Sequence, residues 1–453
     1  MSSPTSQSSL VATFLNPRRG TVLAIAFASA SISTHPLLWV FLPFALLLLV
    51  VSPKSDQLSR PATAKFTLLA AMVVWLFTVP HGPLSLFSAT LWLPETSAWV
   101  TVGALTVLAA AYAMRNLSDR WRTALWVLVA VWVVLAGLAS ILADPETWID
   151  VWALHHGAGS ALVHGASPYS GLSVPNPMSQ FPEGSVYGGY VYPPIPLFTF
   201  ALTDAITGDS RWFALLCGVG LVWIFRRLSV SRDTDALSIL FLVAPGWPLM
   251  VQLSWTEPLS VLLLGLAVLG RPGSRARSLI LGAFVASKQY LLLTALPITA
   301  SWMRRRRAAL ILAGTTTLVL YALGLIFGPS SYLQWAFLFH LQVPPPPLGE
   351  NLPGLAELLL GIKFSIPSAV ALLAGALAGS WVAWRKPRSD ASMLLGMATS
   401  LAVIFFFGYQ AFPNYWYGTL GVFVLGILTH RRDESFPPDP QPARPSTDSL
   451  QTT

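Results

Sequence analysis

Asp150 is the acid whose surroundings invite chemistry. It lies in Asp144-Pro-Glu-Thr-Trp-Ile-Asp150-Val-Trp-Ala-Leu-His155-His156, just past a long apolar run and within an aromatic-rich segment. A carboxylate in a partly dry place binds protons more tightly than one in water, and aromatic faces bind sugar rings. Such an acid suits a general base that meets a hydroxylic substrate. A solvated helix cap is the equally simple alternative. Asp144 precedes Pro145 and starts a turn, and Glu146 fits the first turn of a helix, so Asp150 is the favoured base of the three. Tyr190 and Tyr192 suit stacking on a sugar or an isoprenoid, or service as interfacial belt residues.

A base that activates a hydroxyl needs cations or donors at the opposite end, where an anion departs. Lys288 sits inside an apolar stretch, where an unpaired ammonium costs about 2.5 to 3.5 kcal/mol on insertion scales. It calls for a phosphate or an acidic partner, and Glu257, beside a helix end before Pro258, is the available acid. Arg211 opens a helix from which it could reach a lipid phosphate or merely snorkel. His340, in the aromatic stretch Gln334 to Gln342, could bond a phosphate or an acceptor or be structural. The Pro344 to Pro347 run stiffens the chain beside it.

Other chemistries lack their motifs. Phosphate-loop, dinucleotide-glycine and His-Glu-x-x-His patterns are missing. The adjacent pair His155-His156 points in directions about 100° apart on a helix, which disfavours chelation. A magnesium or manganese ion on Asp144, Glu146 and Asp150 is the lesser possibility, since hard oxygen ligands suit it. Cys217 is the single cysteine, so an intrachain disulfide is excluded.

The elements that must position these residues are membrane helices. The 453 residues are 54% hydrophobic and only 10% charged, against about 25% charged in a soluble domain. Thr123 to Ala143 carries no ionisable group, long enough for a helical crossing. Similar continuous runs recur without the alternation of a barrel strand, which makes the fold class all-α polytopic. The excess of 27 basic over 19 acidic residues is organised: 24 of the 27 fall into eight clusters between apolar runs, with Arg211, Lys288 and Lys363 outside them. By the positive-inside rule these clusters are cytoplasmic and report orientation, not nucleic-acid binding.

That orientation gives about 12 transmembrane helices, within a range of 10 to 14, in a multi-pass protein of the cell membrane. The crossings fall near Thr21 to Ser33, Pro36 to Val51, Phe66 to Pro80, Ser97 to Met114, Thr123 to Ala143, Trp212 to Phe225, Ala236 to Met250, Pro258 to Gly270, Ala308 to Phe327, Ile366 to Trp384, Ala391 to Tyr409 and Tyr415 to Leu428. Ile195 to Thr207 must start and end outside, which predicts a re-entrant or interfacial helix. Ser278 to Trp302, with arginines at both ends and Lys288 inside, predicts two half-helices that dip in and return. The resulting division is a disordered cytoplasmic tail (1–19), N-terminal helices (20–143), a first extracytoplasmic loop (144–209), central helices (210–328), a second extracytoplasmic loop (329–364), C-terminal helices (365–430) and a disordered tail (431–453). Between Arg122 and Arg211 there are six acids and no Lys or Arg. Loops this long usually carry function, which places the site where the two loops meet.

The run Asp150-x4-His155-x-Gly-Ala-x-Ser-Ala-Leu-x-x-Gly165-x-x-Pro168-Tyr169, followed by Tyr192-Pro193-Pro194, resembles the first-loop signature of the family C (GT-C) membrane glycosyltransferases. The similarity is nearest to glycosyltransferase family 87, the polyprenyl-phosphate-mannose-dependent mannosyltransferases, and to the related arabinofuranosyltransferases. Gly282-Ala-x-x-Ala-Ser-Lys288, with Leu296-Pro297 and Arg304 to Arg307, resembles that family's half-helix ending in Lys, and Gly349-Glu-Asn351-Leu-Pro-Gly354 more loosely its later loop. Five crossings precede Asp150, where the family usually has one. The resemblance implies an inverting transferase that moves mannose, or second arabinofuranose, from a polyprenyl-phosphate donor to an extracytoplasmic glycolipid or glycan acceptor, without a metal or other cofactor. It gives the base role to Asp150; the chemistry of the residues makes Lys288, Arg211 and His340 the candidates for donor-phosphate contacts, and His155, His156, Tyr169, Tyr190, Tyr192, Glu257 and Asn351 the candidates for substrate contacts. A secondary transporter or lipid flippase is the main alternative, since broken helices and buried charge occur there too.

Overall fold

The computed structural model describes residues 25, 27–28, 62–78, 94–114, 118–145, 147, 149–175, 185–303, 306–342, 351–384, 389–408 and 412–435. Glu146, the Pro344 to Pro347 run, most of the first two crossings, both chain ends and several basic clusters lie outside the described residues.

The chain is mostly helical, as continuous apolar runs without strand alternation require. Helices α1 (Ala62–Thr78), α2 (Pro94–Met114) and α3 (Asp119–Ala143) precede a loop that holds helix α4 (Asp150–Val163), a two-residue antiparallel pair β1 (Val174–Pro175) and β2 (Val186–Tyr187), and helix α5 (Pro194–Thr207). Then follow α6 (Arg211–Leu228), α7 (Arg232–Leu242), α8 (Gly246–Gln252), α9 (Glu257–Leu269), α10 (Arg275–Ala286), a 3-10 turn over Gln289–Thr294, α11 (Ala295–Trp302) and α12 (Arg307–Ala322). A second helical stretch, α13 (329–342), leads to α14 (Leu352–Leu360), α15 (Ser368–Trp384), α16 (Asp390–Phe407) and α17 (Pro413–Ser435). Among the described residues four helical passages are long and apolar enough to cross a membrane: Asp119–Ala143, Arg232–Gln252, Arg307–Phe327 and Asp390–Phe407. Several shorter apolar helices accompany them.

Helix α3 shows what sorts its two faces. Trp126, Val129, Trp132, Val133 and Ala136 pack inward, while Val127, Val131, Leu135 and Leu142 are exposed. Both faces are apolar, so water cannot cover the outer one, and hydrocarbon suits it.

Polar contacts define two poles. At one, Arg122 of α3 binds Asp235 of α7 at 2.7 Å and Arg226 of α6 reaches Thr123 at 3.3 Å. Helix α9 lies alongside α6, with Gly220 against Leu262 and Gly265 against Ile224, so their C-terminal ends share that pole. Arg277 and Arg306 both bind Asp390, at 2.9 and 2.8 Å. The start of α10 and the end of α11 therefore return to one place, and the break between them falls at Lys288, whose backbone is extended. The two half-helices expected over Ser278 to Trp302 are present as this hairpin.

Three differences from the sequence reading have local causes. The passage expected over Ala236 to Met250 is interrupted between α7 and α8, where Pro245 cannot supply an amide hydrogen. The second loop is largely helical. Helix α17 continues through Arg431 and Arg432 to Ser435, within the stretch expected to be disordered.

Candidate functional site

The candidate site lies at the other pole, where both long loops close on the tip of the α10–α11 hairpin. Asp150 is the first residue of α4, where its charge complements the helix dipole. Its Oδ1 accepts from the Val151 amide at 2.8 Å, and its Oδ2 accepts from the Tyr187 hydroxyl of β2 at 2.7 Å. Burial pushes the Asp150 carboxyl above its ordinary range, and the Tyr187 hydrogen bond opposes that rise. The carboxylate also acts electrostatically on Tyr192.

Tyr192 of the same loop meets the cation. Lys288 Nζ lies over three tyrosine rings, 5.7 Å from Tyr192, 5.4 Å from Tyr290 and 5.3 Å from Tyr415, all within cation–π range. It is buried and paired with Glu257. Of the two partners the sequence left open for Lys288, the structure holds the acid. Glu257 Oε1 also accepts from Tyr290 Oη at 3.1 Å and from Asn414 Nδ2 at 2.8 Å, while Oε2 has no hydrogen-bond partner among the described residues. Ser254, left-handed at φ 54°, is the single non-glycine residue with positive φ among the described residues, and it sits in the turn that delivers Glu257. Backbone strain of this kind persists only where neighbours fix it, and the Ser210 hydroxyl holds Ser254 at 2.7 Å.

Gln289 joins the parts. Its amide nitrogen donates to the Val191 carbonyl of the first loop at 2.6 Å and to the Ala336 carbonyl of α13 at 2.8 Å. His340 Nε2 lies 2.9 Å from the same Val191 carbonyl, and burial lowers this imidazole's proton affinity. Tyr187 packs on Phe339 at 5.4 Å, and Tyr169 on Tyr332 at 4.8 Å. A Cβ on Gly189 would stand 2.4 Å from the Trp335 ring, so only glycine lets the loops approach this closely.

The remaining candidates have other surroundings. His155 is fully buried among Tyr190, Tyr192 and Phe200, with Nδ1 2.8 Å from the Tyr190 hydroxyl. Burial pushes it down to about 3, so it is neutral and supports the wall of the site. Tyr169 donates to the Tyr192 carbonyl at 3.0 Å and supports the same wall. His156 points elsewhere: its ring is 3.0 Å from buried Asp204 and stacks on Trp152 at 5.4 Å. Arg211 does not reach the site. It is buried, held by Asp209 at 2.6 Å and by the Asp144 and Pro145 carbonyls at 2.5 and 3.1 Å, so its donors are already occupied. Asn351 caps α14, accepting from Gly354 and donating to the Gly408 carbonyl, which accounts for both ends of its amide. Asp144 accepts from Gln252 at 3.4 Å, and among the described residues no three His, Cys, Asp or Glu side chains group to hold a metal.

Sequence reasoning missed Tyr187, Gln289 and Tyr290 as members of the site, and read Pro413-Asn414-Tyr415-Trp416 as an interfacial belt with a lesser chance of lining a lipid groove. The signal for two of them was adjacency to Lys288 at a helix break; for Asn414 it was Pro413, a helix-starting residue at an aromatic turn. Tyr187 had no such signal.

Fold and site together define a helical membrane protein with a buried acid–lysine–tyrosine cluster at one pole. The chain matches no protein-family model, no curated protein and no solved structure.

Proposed function

We propose that this protein is an integral-membrane inverting glycosyltransferase of GT-C-like architecture. It moves a sugar, mannose first and arabinofuranose second, from a polyprenyl-phosphate donor to an extracytoplasmic glycolipid or glycan acceptor. The basic pole faces the cytoplasm, the chain crosses the membrane about 12 times, and the loop pole works outside. The observation that supports this reading is that the first loop carries both contacts: Tyr187 donates to Asp150 at 2.7 Å, and the Tyr192 ring lies 5.7 Å from Lys288 Nζ. Asp150 takes the proton of the acceptor hydroxyl as its oxygen attacks the anomeric carbon. The bond from that carbon to the phosphate oxygen breaks, and the lipid phosphate leaves with its electron pair toward Lys288 and His340. The acceptor oxygen ends bonded to the sugar, with the anomeric configuration inverted.

The test is sugar transfer from purified polyprenyl-phosphate mannose by the wild type and by Asp150→Asn. Removing a general base costs about 10²- to 10⁴-fold in turnover, and donor binding is retained. Unchanged turnover in Asp150→Asn sinks the assignment. A second reading, a secondary transporter or lipid flippase, is favoured by one observation, the buried Lys288–Glu257 pair at a broken helix. It predicts substrate movement across proteoliposomes with no new glycosidic bond.

A further inference from the structure

The Lys288 cluster contains buried acceptors without a hydrogen-bond partner among the described residues. All three donors to Glu257, from Lys288, Tyr290 and Asn414, fall on Oε1. Glu257 Oε2 and Asn414 Oδ1 are both buried with no hydrogen-bond partner among the described residues, and the adjoining Thr256 hydroxyl shares that condition. A buried carboxylate oxygen left unpaired costs free energy, so two such acceptors in one cluster call for donors from beyond the described residues. A small cavity beside Glu257, walled mainly by the apolar and aromatic side chains of Val261, Phe284, Tyr290, Leu401, Phe405 and Tyr415, has room for about one water molecule.

Resting on the donor reading above, we infer that Glu257 Oε2 and Asn414 Oδ1 form a subsite for vicinal hydroxyls of the donor sugar, next to the phosphate site at Lys288. Several features favour this chemistry. Acceptors without donors select a ligand rich in O–H groups. Tyr290 and Tyr415, whose rings stand 5.2 Å apart, supply the aromatic faces that sugar C–H surfaces pack on. The ion pair supplies the trigger: Lys288 occupies Glu257 until an anion competes for it, and an arriving phosphate that draws the ammonium away leaves Glu257 free to accept from sugar hydroxyls. A bare lipid phosphate can take the lysine but brings no hydroxyl to the uncovered carboxylate, so the subsite discriminates loaded from spent donor. The consequence is that product leaves more readily than substrate.

Equilibrium binding in detergent micelles tests this, with polyprenyl-phosphate mannose, its monodeoxy analogues at each hydroxyl, and bare polyprenyl phosphate as probes. In the wild type the loaded lipid binds more tightly than the bare one, and at least one deoxy analogue binds about tenfold more weakly than the parent. In Asn414→Leu the loaded lipid weakens by about tenfold, bare polyprenyl phosphate is unchanged within about twofold, and the loss from deoxygenation shrinks. If Asn414→Leu does not fold, the deoxy series on the wild type decides alone. Equal binding of parent, every deoxy analogue and bare lipid overturns the subsite. With transfer still lost in Asp150→Asn, that result leaves the transferase reading standing; a wild type that binds no polyprenyl phosphate overturns both.

Discussion

The Asp150–Tyr187 pair sets what the acid can do and when. On the proposed base role Asp150 acts ionised, so activity is expected to fall as pH drops through its ionisation, which burial moves above the ordinary carboxylate range. The Tyr187 hydrogen bond favours the ionised form and holds the rise in check. Tyr187→Phe therefore moves the acidic limb of the kcat/KM profile to higher pH, with the plateau retained at alkaline pH. A limb that stays in place, or moves to lower pH, counts against Asp150 as the titrating base. Asp150 was legible in the sequence because an acid just past an apolar run among aromatics is rare. Tyr187 was not, because its bond to Asp150 closes over 37 residues, and no local period encodes such a pairing.

Helices α4 and α5 hold the acid in register with the wall of tyrosines. They touch closely at Gly159, where an added Cβ would stand 2.6 Å from the Ala201 carbonyl and 3.1 Å from Asp204 Oδ2. Backbone is on the receiving side, so neither helix can yield by turning a side chain. Gly159→Ala should lower stability by about 1 to 3 kcal/mol, as overpacked contacts do, read as a fall in Tm in detergent; an unchanged Tm would show that the helices part freely. The interruption at Lys288 was readable, since an ammonium in an apolar run demands a partner. Which partner it has was not. Glu257 and a phosphate satisfy the same electrostatic demand, and it is the placement of α9 beside the hairpin tip that brings Glu257 to the lysine.

Across the whole molecule, Arg122, Arg277 and Arg306 with their acidic partners at one pole, and Asp150 with the loop tyrosines at the other, give the chain a direction. Asp390 closes the hairpin by holding Arg277 and Arg306 together. Asp390→Ala leaves buried Arg277 uncompensated, with an expected loss of about 3 to 5 kcal/mol, measurable by thermal unfolding in detergent. A variant as stable as the wild type would mean the hairpin does not depend on this clasp. Orientation is checked by thiol labelling in intact cells, for which the native Cys217 is buried and silent. An impermeant maleimide should react with Ser170→Cys in the first loop, and with Ala276→Cys at the basic pole only after permeabilisation; the reverse pattern inverts the proposed topology. Composition and charge spacing were enough to announce a helical membrane protein with grouped basic ends, because hydrocarbon admits few backbone solutions and each residue meets the solvent one at a time. Asp150 and Lys288 became candidates through the loop resemblance and the cost of a charge in an apolar run, not through composition. That Arg211 is tied to Asp209 and two carbonyls, that Asn351 is a helix cap, and that Glu257 keeps an unfilled oxygen were settled by packing, since hydrogen-bond partners far apart in the chain are chosen by how helices meet and leave no trace in local pattern.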